Sequence, residues 1–147
     1  MSDAGCDLLR RFERGEIEPA SFGHRDHVKV ACEMLGQYDF VDACTRYTAA
    51  IRAMAESAGA PQKFNATITF AFMSLIAERK SRAGSADVDS FLASNPDLLD
   101  KNLLRRWYSE ERLVSQLARE QFLLPDKGVN LYQSARDPIN NVRFDHD

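Results

Sequence analysis

The chain has 147 residues, of which 44% are apolar and 28% charged, with only 7 glycines and 5 prolines. This composition excludes a long disordered or low-complexity protein and fits one soluble domain large enough to bury a core without metal or disulfide staples. The 19 basic and 22 acidic residues give a formal net charge of −3 and are interleaved along the chain, so the basic stripe needed to bind nucleic acid is missing.

Taken in chain order, the apolar pattern is helical throughout. Asp7 to Arg14 places Leu8, Leu9 and Phe12 on one side before Gly15, predicting a short first helix. Glu16 to Gly23 contains Pro19 and reads as a loop, with Ser21 the expected N-cap of a second helix that runs to about Leu35 and stops at Gly36. Asp39 caps a third helix, in which Phe40, Cys44, Tyr47, Ile51, Met54 and Ala58 recur at spacings of four and three. Gly59-Ala60-Pro61 closes it. Asn65 caps a fourth helix over 66–82, with Ile68, Phe72, Leu75 and Ile76 on one face and Phe70 and Met73 on another. Two apolar faces predict a central helix.

Beyond the break at Gly84-Ser85, Asp87 to Ala93 forms a short helix, and Asn95-Pro96 restarts the chain as a helical turn to Asp100 with Asn95 as its cap. Lys101 to Tyr108 is a further short element. Ser109 caps a helix through Glu120 that buries Leu113, Leu117 and Val114, and its first-turn Glu110 and Glu111 suit the helix dipole. The expected fold is an all-α, compact single-domain bundle of about five to seven helices over 1–128, followed by a polar tail over 129–147. Cys6, Cys32 and Cys44 are odd in number and show no CxxC spacing, so they read as reduced thiols in a cytoplasmic protein. No signal-peptide pattern or membrane-length apolar run is seen, so no membrane partner is expected.

Chemistry concentrates at His24-Arg25-Asp26-His27, which holds two of the three histidines. At about 100° per residue, His24, His27, Val28, Ala31 and Leu35 share one face, while Asp26, Lys29 and Glu33 point away. Two inward imidazoles one turn apart can line a polar pocket or converge on a divalent metal, Zn or Fe. They can equally be satisfied by backbone carbonyls and do no chemistry. A metal site needs a third ligand, for which Glu13, Glu16, Glu18, Glu78 and His146 are available in composition only. Asn65, Thr67 and Thr69 place hydrogen-bonding groups at the start of the central helix, where a ligand or simple capping would use them. Trp107 and Tyr108 are aromatic, polar-tipped candidates for a pocket edge. Catalytic-triad, P-loop and dinucleotide patterns are absent.

Three segments, Phe22-Gly23-His24-Arg25-Asp26-His27-Val28, Lys63 to Thr69 and Phe91 to Asp100, together with Tyr108-Ser109, Leu113, Ser115, Ala118-Arg119, Phe122 and Pro125-Asp126, resemble a family of small helical bacterial proteins that has no established activity. The resemblance spans about residues 20–126. It implies that many relatives carry His-Glu where this chain has Asn65-Ala66, which would complete a four-residue metal or acid-base site in them and not here. Asparagine still donates and accepts hydrogen bonds, so a pocket survives the change better than a metal centre does.

Three functions follow. The first is a small-molecule binding protein or divergent enzyme with a pocket at His24, His27, Asn65 and Thr69, edged by Trp107 or Tyr108. The second is a metal-dependent enzyme with His24 and His27 as ligands to Zn or Fe. A helical interaction module, such as a homodimer, is the third.

Overall fold

The computed structural model describes residues 2–84 and 87–127. Among the described residues seven α-helices follow in order: α1 (Ser2–Glu13), α2 (His24–Gln37), α3 (Phe40–Ser57), α4 (Ala66–Ala83), α5 (Val88–Ser94), α6 (Glu110–Leu113) and α7 (Gln116–Glu120). Tight 3-10 turns at Pro19–Ser21, Pro61–Lys63, Pro96–Leu99 and Leu103–Arg106 link them, and no strand occurs among the described residues. The all-α bundle read from apolar period is the fold of the chain. The readings of the tail over 129–147 and of His146 lie outside the described residues, as does the side chain of Cys6.

Local chemistry accounts for most helix ends. The Asp39 carboxylate accepts from the Asp42 N–H at 2.8 Å, the Asp87 carboxylate from Ser90 at 2.7 Å, and the Asn65 amide oxygen from Ile68 at 2.9 Å. Each satisfies an amide that the helix leaves unpaired. At the far end of α3, Gly59 has φ +73°, with its N–H on the Glu56 carbonyl and the Ala60 N–H on the Ala55 carbonyl. That closure needs the left-handed backbone glycine adopts without a Cβ penalty.

Five expectations are corrected. Ser21 lies in the Pro19–Ser21 turn, and the cap of α2 is Gly23, whose N–H is taken by the Asp26 carboxylate at 3.0 Å. Asp26 is therefore half-buried and engaged rather than solvent-facing. Gly36 does not stop α2, which runs on to Gln37, because packing outweighs the roughly 1 kcal/mol helical cost of one glycine. Asn95 holds the cap position of the turn at Pro96 but makes no side-chain cap bond; its side-chain amide donates to the Phe91 carbonyl at 2.9 Å. The helix expected from Ser109 through Glu120 is two helices, because Ser115 takes the Ala118 N–H at 3.1 Å and starts a new one. That restart changes the phase: Ala118 becomes buried, while Val114 and Leu117 are exposed.

The main core joins Leu9 and Phe12 of α1, Val28, Ala31 and Met34 of α2, Cys44 and Tyr47 of α3, Met73 and Ile76 of α4, and Phe91, Leu98 and Leu103 beyond. A second, smaller core of Leu104, Tyr108 and Leu113 packs on Ile68, Ala71 and Phe72 of α4. Helix α4 thus serves both cores, the physical meaning of its two apolar faces. Helix α2 buries Val30, Cys32 and Met34 as well as Val28 and Ala31, more of its circumference than the single predicted stripe. It lies against α1, α3, α4 and α5.

After α7 the chain crosses α4 in extended form. The fully buried Thr67 hydroxyl donates to the Gln121 carbonyl at 2.8 Å and accepts from the Leu123 N–H at 3.0 Å. The Tyr108 hydroxyl donates to the Leu123 carbonyl at 2.8 Å, and Asp126 accepts from both the N–H and the hydroxyl of Ser109. This strap pairs its backbone polar groups with side chains instead of a sheet.

Candidate functional site

A cavity of about 380 Å³ lies between α2, α3 and α4, and His24, His27, Asn65 and Thr69 all line it. Two residues per helix turn bring this about. His24 and His27 open α2 on the face shared with Val28 and Ala31, while Asn65 and Thr69 open α4 on the face shared with Ile68, Phe72 and Met73. Tyr47 and Ile51 of α3 form the third wall.

Each polar group also has a structural partner. His24 Nε2 is 3.0 Å from the Leu98 carbonyl. Because a carbonyl only accepts, Nε2 carries the proton, and in the neutral ring Nδ1 is left as an acceptor. Its ring meets Phe72 edge-on, with centroids 5.2 Å apart. His27 Nδ1 is 3.3 Å from the Tyr47 hydroxyl, and its ring packs on Phe22 at 4.6 Å. Burial, and secondarily the neighbouring His24, push the His27 pKa down to about 4 against a weaker opposing pull from Asp26, so the ring is neutral at pH 7. Burial also pushes the Tyr47 phenol up and the Cys32 thiol up to about 12. The histidine–tyrosine pair is thus an uncharged hydrogen bond.

Asn65 is engaged at both ends: beyond its cap to Ile68, its amide nitrogen donates to the Leu113 carbonyl at 2.7 Å. Thr69 donates to the Asn65 carbonyl at 2.8 Å. Capping occupies the Asn65 oxygen, a tertiary bond its nitrogen and an i−4 bond the Thr69 hydroxyl hydrogen, and what remains is one amide hydrogen and one oxygen lone pair on Asn65 and the acceptor lone pairs of Thr69.

Trp107 and Tyr108 stand elsewhere. They line a separate cavity of about 280 Å³ with Ala71, Leu75, Phe122 and Pro125, on another face of α4. The expected edge of the histidine pocket is corrected here, because the Leu103–Arg106 turn sends Leu103 into the main core and Leu104 into the second one and carries the aromatics with Leu104. The buried Tyr108 spends its hydroxyl on the strap.

His146 lies outside the described residues, and no described side chain joins the histidines as a third metal ligand. Among the described residues no group of three His, Cys, Asp or Glu side chains is placed to hold an ion. Glu13 accepts from the Tyr38 hydroxyl, and Glu78 pairs with Arg82. Glu18 borders a neighbouring cleft that His27 also reaches, and Glu16 is exposed. The donors among the described residues fall short of a structural or catalytic zinc or iron centre, which takes three or more protein ligands.

Three contributors escape a motif search. Tyr47 belongs to the apolar stripe of α3, and its only signal is a phenol whose hydroxyl must find a partner when buried. Lys101 and Asn102 reach the cavity from the segment after the Pro96–Leu99 turn. No local pattern brings positions 101 and 102 near position 24. The fold and cavity define an all-α domain with a largely apolar pocket at the junction of its three long helices. Comparison with protein-family models, curated proteins and solved structures finds no match.

Proposed function

We propose that this protein binds a small molecule, as a binding protein or divergent enzyme, in the cavity lined by His24, His27, Asn65 and Thr69. The observation that carries this reading is the convergence of those four side chains on one space of about 380 Å³, within the range of small-ligand sites. A neutral His27 imidazole and a mostly apolar wall suit shape recognition with a few hydrogen bonds. Binding is favoured over turnover because the main hydrogen-bonding atoms of Asn65, Thr69 and His24 are held by backbone groups. That leaves His27 without a positioned acid-base partner other than Tyr47, whose proton burial makes hard to remove.

A screen of small apolar and aromatic fragments by ligand-observed NMR tests the reading. Hits compete for one site, shift the amide signals of Ile68 and Thr69, and are lost in a folded Ile51→Trp variant that fills the cavity. Binding undiminished in that variant, or the absence of any hit, sinks the proposal.

A further inference from the structure

Charge around the cavity narrows the class of ligand. Among the described residues that line the cavity, the only formally charged side chains are Lys63 and Lys101, and there is no aspartate or glutamate. Both lysines are exposed, and neither forms a salt bridge among the described residues. They are also far apart in sequence: one ends the Pro61–Lys63 turn and the other follows the Pro96–Leu99 turn. Folding therefore brings two lysines to the lining of one largely apolar space, with imidazole rather than carboxylate in its wall.

Resting on the pocket reading above, we propose that the cavity takes an organic anion with an apolar body, its carboxylate at the Lys63 and Lys101 rim and its body among Ile51, Ile68, Phe72 and Met73. A cation would meet two ammonium groups with no counter-charge. A sugar or other polyol would find most polar atoms already committed to the backbone, and desolvating its hydroxyls there is unfavourable. A polyanion such as a nucleotide would offer more charge than two lysines neutralise and more polar surface than this wall accepts. An aliphatic or aryl monocarboxylate matches both halves of the site.

Calorimetric titration of the full chain with octanoate, 1-octanol and octylammonium, which share one apolar body and differ in charge, tests this. Octanoate is expected to bind at a single site roughly three- to tenfold more tightly than octanol, with octylammonium weakest. A Lys63→Gln, Lys101→Gln double variant, altered only at exposed positions, should bring octanoate down to the level of octanol, and added salt should do so in part. Equal binding of octanoate and octanol, or an unchanged double variant, overturns the anion assignment. In that case loss of octanol binding in folded Ile51→Trp still upholds the pocket. Failure of all three probes to bind the folded protein overturns both.

Discussion

His24 and Leu98 lie 74 positions apart in the chain and are joined by a 3.0 Å hydrogen bond from imidazole Nε2 to a backbone carbonyl. The bond ties the first turn of α2 to the Pro96–Leu99 turn and orients one wall of the cavity. Leu98 itself is fully buried, so its carbonyl has little access to water as a substitute. Replacing His24 by alanine removes the donor and is expected to cost about 1–3 kcal/mol. Urea denaturation measures the loss, and amide exchange should quicken at Leu98 and Asp100 before it does in α3.

Thr67 is the matching anchor on the other side of α4, donating to Gln121 and accepting from Leu123. Valine has nearly its shape and neither bond, so Thr67→Val leaves two strap groups unpaired at a cost of about 2–4 kcal/mol. Thr67→Ser keeps both bonds and loses one methyl, at about 1 kcal/mol. Thermal denaturation of the two variants should separate clearly. If they are equally destabilised, the hydroxyl is not what holds the strap.

His27 predicts an acid sensitivity. Its pKa falls from 6.5 in the unfolded chain to about 4 in the fold, so over that interval the unfolded state binds more protons. Stability is then undiminished above pH 6.5 and declines as pH falls toward about 4, by roughly 3 kcal/mol from this group. His27→Gln retains a side chain able to bond Tyr47 and should flatten that part of the pH profile. An NMR titration of the His27 ring that finds its midpoint near 6.5 would falsify the assignment.

Arg79 and Asp97 form a two-pronged pair at 2.6 and 2.9 Å, joined by Arg106 at 3.6 Å. The Arg79 hydrogen bonds hold the Asp97 carboxyl below the ordinary carboxylate range. This contribution is present at neutral pH and lost as pH falls through the lowered pKa of the folded state. Arg79→Lys keeps the charge and loses the fork geometry, for an expected cost of about 1 kcal/mol. The measurement is the denaturation midpoint. Because the same turn carries Leu98, the His24 ring signals should shift in this variant as well.

The amino-acid sequence by itself determined the helices with strong local chemistry. Asp39 and Asn65 announce their caps, and the spacing of Cys44, Tyr47 and Ile51 sets the inner face of α3, because capping and helical period act within one or two turns. The inward direction of His24 and His27 was legible for the same reason. Tertiary structure decided the rest. Gly36 continues its helix because packing around α2 outweighs a weak local preference, and Ser21 yields its capping role to Gly23 because a proline turn claims it first. That Asn65 and Thr69 face the histidines while Trp107 and Tyr108 do not depends on how α4 rolls between two cores. Lys101 reaches the same cavity because the Arg79–Asp97 pair and the His24–Leu98 bond hold the preceding turn. Contacts between distant segments depend on the whole packing arrangement, and no local window of sequence contains it.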